Sequence, residues 1–317
     1  MDPSYDDFDR VVSEYDVIVL GGGPAGLTAG IYLGRAKFKT LIIDTGTAGG
    51  QMILSYHVAN YPGVEETSGA SIAKTMRKQA QSFGCEILTQ SKVAAMQLEG
   101  ERKSVEVVGK GVFTSKVVII ASGGVPRTLG LASEKRLQGR GVSYCATCDG
   151  DFFTDMEIVA IGGGNSALEE AVALTAYASK VTIIHEFDHF QAEPWIVEEA
   201  KKNPKVHFLM HQEIQDFIGE KKLEKVVCTH KTSGEVTEVL AAGCFVFIGY
   251  VPKTDAFSGM VKLDERGQII TDERLATSVP GVFAAGDCRV KRYRQITTAV
   301  ADGSIAAMAA IEELNQS

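Results

Sequence analysis

Two cysteines three positions apart, Cys145 and Cys148 in 141-GVSYCATCDGDFF-153, are the residues whose type and spacing most directly suggest chemistry. A Cys-x-x-Cys pair can be half of a zinc site. Zinc would need two further ligands at matching spacing, and the chain has neither a second Cys-x-x-Cys nor a Cys-x-x-His. A redox-active dithiol is the favoured reading, and no metal site is expected. Two cysteines this close form a small, exchangeable ring, in which one thiolate is stabilised by its neighbour and by local dipoles. Asp149, immediately adjacent, is placed to deliver or remove the proton that thiol–disulfide exchange requires. It also reads more simply as the first residue of an Asp-Gly turn. The other four cysteines, Cys85, Cys228, Cys244 and Cys288, lie among apolar or small residues and are expected to be buried thiols.

The elements that must position this pair are written on both sides of it. In 15-YDVIVLGGGPAGLTAGIYLGRA-36, Val17 to Leu20 form the continuous apolar run of a strand buried on both faces. Gly21, Gly23 and Gly26 then supply a GxGxxG turn: the first allows the bend, the second lets backbone approach a pyrophosphate, and the third lets helix pack on strand. The helix that follows offers unpaired N–H groups and its positive dipole end to that phosphate. A second strand, 40-TLIID-44, ends in Asp44, 18 residues past Gly26, where an acid accepts hydrogen bonds from a ribose. The pattern recurs in 157-EIVAI-161, the GxGxxA turn of Gly162, Gly164 and Ala167, a helix through about Tyr177, and the strand 181-VTII-184. Two dinucleotide turns in one chain fit a two-cofactor oxidoreductase, one site for a flavin and one for a nicotinamide. Residues 279–307 carry a turn, a short strand, a Gly-Asp pair and an alanine-rich helix. This tail is expected to return to the first domain.

The expected fold is therefore α/β with two Rossmann-like, three-layer dinucleotide-binding domains. Residues 1–125 and 251–317 form a discontinuous FAD domain, into which a pyridine-nucleotide-like domain, 126–250, is inserted. The length of 317 residues and the 45% hydrophobic content suit two substantial cores. The net charge of −8 argues against nucleic acid as a partner. No apolar run reaches the length that spans a bilayer. The acidic N-terminus lacks a signal-peptide pattern and is read as a loosely held tail, so a cytoplasmic location is expected.

With those motifs in hand, the chain resembles the low-molecular-weight thioredoxin reductases over nearly its full length. The matching strings are GGGPAG, GGQ at 49–51, NYPG at 60–63, CATCDG at 145–150, GGGNSALEEA at 162–171, GDC at 286–288 and YRQ at 293–295. The resemblance implies a homodimer, a tightly bound FAD, a redox disulfide in the pyridine-nucleotide domain, and a domain rotation that alternates disulfide and nicotinamide at the flavin. Carried onto this chain, Cys148 receives electrons from the flavin. Cys145 attacks the disulfide of thioredoxin or a thioredoxin-like partner, and Asp149 carries the proton. Pro24, Ala25, Gly50, Gln51, Asn60, Gly286, Asp287, Arg294 and Gln295 match positions that hold FAD, and Asn165 lies in the second nucleotide turn.

The chain departs from that family at 185-HEFDHFQ-191. Members that use NADPH carry HRRxxxR here, and the arginines clasp the 2′-phosphate; this sequence has Glu186, Phe187 and Gln191 in their place. Each lost charge-assisted bond forfeits about 1.5–3 kcal/mol. Glu186 adds a repulsion of about 4 kcal/mol for a unit pair near 4 Å at an effective dielectric of 20. NADPH is thus disfavoured. NADH leads, with Glu186 bonding the free ribose hydroxyls as an acid does in NAD-selective folds. The flavoprotein subunit of alkyl hydroperoxide reductase, a relative that uses NADH, looks similar near this turn. Ferredoxin and a reduced deazaflavin remain as alternative donors, and 289-RVKRYR-294 could dock an acidic carrier if it is not a solvated loop with FAD-phosphate contacts. A peroxiredoxin-reducing flavoprotein and a non-catalytic regulatory flavoprotein are the rival functions. The string 185-HEFDH-189 matches the zinc-protease pattern, but it follows a strand, where its two histidines would not share a helix face. Trp195, the one tryptophan, is placed either near a nucleotide pocket or domain interface or in plain packing at a helix start.

Overall fold

The computed structural model describes residues 12–55, 58–65 and 67–316. They form two compact units, one built from the described residues up to Val125 together with those from Val251 on, the other from Pro126–Tyr250.

In the first unit the strand Val17–Leu20 lies central in a five-stranded sheet. The order is Val282–Ala284, Val117–Ile120, Val17–Leu20, Thr40–Ile43 and Glu86–Leu88, and every pair is parallel. Side chains alternate across a strand, which explains why all four residues of VIVL are buried. Val17 and Val19 pack with Leu27, Ala73 and Ala306 on the helical face. Ile18 and Leu20 pack with Val105 and Phe113 of a second, four-stranded sheet on the other. The C-terminal strand Val282–Ala284 joins this sheet beside Val117–Ile120. Val12–Glu14, read from the sequence as part of a loose tail, is instead a strand paired in parallel with Gly111–Ser115. Residues 1–11 of that tail lie outside the described residues.

The long helix Ile296–Gln316 crosses the helix Pro24–Arg35 at Gly303. A Cβ there would lie 2.2 Å from the Ala25 carbonyl oxygen and 3.0 Å from Thr28 Cβ. Backbone cannot yield as a flexible side chain can, so Gly303→Ala is expected to cost about 1–3 kcal/mol by overpacking. A thermal melt should show a fall of several degrees.

The second unit repeats the scheme. Its parallel sheet has the order Val142–Ser143, Gly243–Val246, Glu157–Ile161, Lys180–Ile184, Val206–Leu209. Ile158, Ala160 and Ile183 meet the helices through Ala167, Leu168 and Ile196. Val159, Ile161 and Ile184 meet Phe217, Val226 and Cys228 of a three-stranded antiparallel sheet. The helix Asn165–Leu174 stops short of Tyr177. Thr175, Ala176 and Tyr177 bond to carbonyls three residues back, which tightens the last turn and ends the α-helix. Cys85, Cys228, Cys244 and Cys288 are all buried free thiols. Among the described residues no helix is long and apolar enough to cross a membrane.

Candidate active site

Cys145 and Cys148 are joined as a disulfide, with Cα atoms 5.3 Å apart. Cys145 is the N-cap of, and Cys148 lies within, a single turn of helix, Ala146–Asp149, that runs on into a 3-10 turn, Gly150–Phe153. The loop is tied to rigid structure on both sides. Before it, Val142–Ser143 pairs with Cys244–Phe245, and the Tyr144 hydroxyl donates to Glu134 Oε1 at 2.9 Å. Glu134 is 1% exposed, and its carboxylate also accepts from the Leu129 and Gly130 N–H groups at 3.1 and 3.0 Å. A buried carboxylate with three donors is a satisfied one. Burial, and then the bond to Glu134, push the Tyr144 hydroxyl well up from its ordinary range, so it stays a donor at neutral pH. After the loop, the Phe153 ring stands edge-on to Phe245 with centroids 5.4 Å apart. Asp149 lies in the same turn as the two sulfurs, its N–H bonded to the Cys145 carbonyl at 3.2 Å.

The two glycine turns have a common construction. The Gly21 and Gly162 N–H groups bond the carbonyls of Ile43 and Ile184 at 2.8 and 3.1 Å. Both first glycines have positive φ, and a Cβ would lie 2.2 Å from the Ala121 oxygen at Gly21 and 2.5 Å from the Phe247 oxygen at Gly162. A Cβ on Gly26 would lie 1.9 Å from the Gly21 oxygen. The following helices begin at Pro24 and Asn165 with no side-chain cap, leaving backbone N–H groups for a ligand phosphate.

Around the first turn the other expected residues gather. Asp44 accepts from the Gly22 N–H at 2.6 Å and the Gly46 N–H at 2.7 Å, so here it knits the turn together. Gly50 faces Gly23 so closely that its Cβ would stand 3.0 Å from the Gly23 Cα. Gly286 stacks on Ala25, and Asp287 follows it. Asp287 Oδ1 is buried without a hydrogen bond; Lys291 Nζ approaches it only to 3.9 Å. Burial pushes this carboxyl up, while Lys291 and Arg294 pull the other way. A bare backbone cradle beside a buried, unsatisfied acceptor suits a phosphate-bearing cofactor with a hydroxyl-rich chain. Gln51 is exposed in the 3-10 turn Gly50–Leu54, and Arg294 and Gln295 precede the final helix. Asn60 is exposed, on a stretch closed by the Val58–Thr67 bridge.

Sequence reasoning missed Asp302, which is 5% exposed on the final helix. It accepts from the Gly286 N–H at 3.0 Å, Arg289 Nε at 2.9 Å and Lys291 Nζ at 2.8 Å. The basic run 289–294, read as a possible carrier dock, thus spends two of its four cations inside the protein. Arg292 is exposed, its guanidinium 5.4 Å from the Tyr293 ring centroid. Burial alone would raise the Asp302 carboxyl, but the bonds from Arg289 and Lys291 outweigh it and hold the group low. A depressed native value means stability that is complete above the unfolded carboxylate value of about 3.9 and lost as pH falls through the native one. Asp302→Ala strips the carboxylate from two poorly solvated cations, leaving Lys291 only the looser approach of Asp287 at 3.9 Å, and urea melts at neutral pH should show a loss of about 3 kcal/mol. At acid pH the difference from the parent protein should shrink.

In the second unit, Glu186 stands at the end of the strand Lys180–Ile184, beside the Gly162–Ala167 turn. It is exposed, and Lys231 Nζ lies 3.6 Å from its Oε2. Lys231, 45 residues on, was not foreseen; its Nζ also lies 5.4 Å from the Phe187 ring centroid. His185 is 4% exposed and stacks on Phe190 at 5.7 Å. Its Nε2 meets the His189 carbonyl at 3.1 Å; a carbonyl only accepts, so Nε2 carries the proton. Burial lowers the tendency of this ring to charge. Residues 185–189 are not helical, and the described residues contain no cluster fit to hold a metal. Asn165 Oδ1 accepts from the Glu193 N–H at 2.7 Å. Trp195 begins the helix Pro194–Lys202 and is 62% exposed, so it does not serve as core packing.

The comparisons with known proteins agree with this arrangement. The family model described as pyridine nucleotide-disulphide oxidoreductase matches residues 15–303. A protein named thioredoxin reductase from Peptoclostridium acidaminophilum is 47% identical over 300 residues, covering 92% of this chain and 95% of that one. Another so named, from Peptoclostridium litorale, is 46% identical over 310 residues, covering 95% and 98%. The crystal structure of thioredoxin reductase from Streptococcus pyogenes superposes with a TM-score of 0.92 at 38% identity, covering 96% of this chain and 99% of that one.

Proposed function

Since this chain belongs to the pyridine nucleotide-disulphide oxidoreductase family and, within it, to the thioredoxin reductases, we propose that it reduces the disulfide of thioredoxin or a thioredoxin-like protein, with NADH as donor. The observation that carries the reading is the closed Cys145–Cys148 bridge, one residue from a carboxylate and in the unit that holds the second nucleotide turn. Reduction adds two electrons and two protons to that bridge and leaves two thiols. As a thiolate, Cys145 attacks the partner disulfide, forming a mixed disulfide and expelling one partner sulfur. Cys148 then attacks Cys145, restoring the bridge and expelling the other. Asp149 takes the proton from the attacking thiol and returns it to the leaving sulfur.

The first unit is assigned to FAD. Gly21, Gly23 and Gly50 would bring bare backbone to the pyrophosphate, the first turn of the helix would offer N–H groups from Ala25 onward while Pro24, which has none, fixes the turn's start, and Asp287 Oδ1 would accept a cofactor hydroxyl. FAD, when bound, accepts electrons in pairs from a pyridine nucleotide and supplies them to a disulfide. In the second unit, Gly162, Gly164, Asn165 and Ala167 are assigned to the nucleotide, and Glu186 to its ribose. A homodimer belongs to the same proposal, and sedimentation measures it.

The test is anaerobic bleaching of the bound flavin by NADH, NADPH, and ferredoxin reduced by its own reductase, each offered separately. Oxidised thioredoxin is then added and its new thiols counted. Fast bleaching by NADH followed by thiol formation supports the reading. A flavin that bleaches while thioredoxin stays oxidised would remove the substrate assignment. Bleaching by ferredoxin alone would remove the donor.

A further inference from the structure

We propose that Ser143 is a positioning residue for proton transfer at the redox pair, holding Asp149 as an ionised acceptor beside the Cys145–Cys148 bond. The inference rests on the role of Asp149 given above. Ser143 is 6% exposed and belongs to the strand Val142–Ser143, whose register is set by Cys244–Phe245. Its Oγ is therefore fixed by the sheet rather than by the redox loop. That oxygen donates to Asp149 Oδ2 at 2.5 Å and accepts from the Cys145 N–H at 3.1 Å.

These contacts set the direction of the bond to an ionised Asp149, whose oxygens can only accept. An amide N–H can only donate, so Cys145 occupies a lone pair of Ser143. The hydroxyl has one proton, and its choices are Asp149 Oδ2 at 2.5 Å and the Cys145 carbonyl at 3.5 Å. The charge-assisted bond to the nearer carboxylate prevails. A donor aimed at a carboxylate favours its ionised form. In the disulfide state, then, Asp149 stands ready to accept a proton as Cys145 becomes a nucleophile. One oxygen atom couples the carboxylate to the backbone of the attacking cysteine.

Other ionisable groups surround the loop. They are Tyr144 bound to Glu134, Asp151 on the following turn, Cys244 on the neighbouring strand, Glu169 and Glu170 on the helix packed against the loop, and Tyr177 beside Gly150. Substituting Ser143 removes no hydrogen bond to any of these, but it does remove the acceptor of the Cys145 N–H, so an Asp149→Asn background is needed to separate an effect on Cys145 from one on Asp149.

The experiment compares the parent protein with Ser143→Ala and Ser143→Thr, the latter keeping the hydroxyl on a residue suited to a strand. Each holoprotein, reduced anaerobically with dithionite, is mixed with oxidised thioredoxin between about pH 5 and 9 and its flavin reoxidation followed. This needs no knowledge of the natural donor. In parallel, iodoacetamide labelling of Cys145 in the reduced protein is followed against pH by mass spectrometry, a readout independent of the flavin. Ser143→Ala should slow reoxidation by roughly tenfold near neutrality, move the acid limb of both profiles to higher pH, and leave flavin content unchanged. Ser143→Thr should return both to within about twofold of the parent. In an Asp149→Asn background, Ser143→Ala should move neither profile further. An acid limb unmoved by Ser143→Ala, whatever the rate, would overturn the inference, as would a further shift in the Asp149→Asn background. If the parent protein fails to reduce thioredoxin while the labelling profile still shifts, the thioredoxin assignment fails and the role of Ser143 stands.

Discussion

Replacing Cys148 with Ser is expected to give a protein that keeps its flavin and turns over thioredoxin about a thousandfold more slowly or worse, the scale seen when one member of a concerted nucleophilic unit is removed. The flavin is expected to stay because its assigned cradle, from Gly21 to Gly26 with Gly50 and Asp287, lies in the unit that does not contain the bridge. Turnover should collapse for two reasons. A serine hydroxyl cannot form the disulfide that takes up the electron pair on opening to two thiols. Nor can it expel a partner sulfur from Cys145, so the mixed disulfide has no intramolecular exit. Cys145→Ser should be equally inactive without forming that adduct, because the attacking atom is gone. The measurements are flavin absorbance per chain, steady-state reduction of thioredoxin, and a non-reducing gel for the covalent complex. A Cys148→Ser protein that still reduces thioredoxin catalytically would end the assignment of the bridge.

What could be read from the sequence, and what could not, divides by whether a residue's type alone announces its role. The glycine turns were legible because their constraint demands one residue type: Gly21 and Gly162 sit against the carbonyls of Ala121 and Phe247, just past the neighbouring parallel strands, and no other residue type tolerates both that approach and the positive φ. The strands around them were legible because burial on both faces leaves an unbroken apolar run. The polar contacts that tune the site were not. Ser143 lies two residues before Cys145, a spacing with no signature of its own, and its role depends on a turn that brings Asp149 back to it. Arg289 and Lys291 looked like a solvated or docking charge run because a sequence cannot show that Asp302, a full helix turn and more into the next element, receives them. The pairing of Lys231 with Glu186 joins a hairpin to a strand end that is remote along the chain.

That last pairing changes the argument about the electron donor, and with it the expected result. NADH should bleach the flavin roughly a hundredfold more efficiently than NADPH, judged by the second-order rate of anaerobic reduction. Two absent charge-assisted bonds at the lower limit of about 1.5 kcal/mol each already supply that factor. Repulsion from Glu186 adds less than its bare charge suggests. Its side chain is 58% exposed, so the interaction lies nearer the water limit of about 1 kcal/mol than the interior one. Lys231 at 3.6 Å offsets part of it. On the proposed reading the missing arginines would carry the preference, and Glu186 would contribute by accepting the ribose hydroxyls. Glu186→Gln should accordingly weaken NADH by several-fold and help NADPH little. Glu186→Arg should shift the ratio toward NADPH by about a hundredfold or more, because it removes an acceptor and restores a phosphate ligand in one change. Lys231→Met discriminates the remaining possibility. If Lys231 only steadies Glu186, the variant raises the NADH requirement modestly and leaves NADPH poor. A parent protein bleached fastest by NADPH, and a Lys231→Met variant that loses this ability, would mean instead that the hairpin lysine has taken over the phosphate from the arginines and that Glu186 is merely its counter-ion.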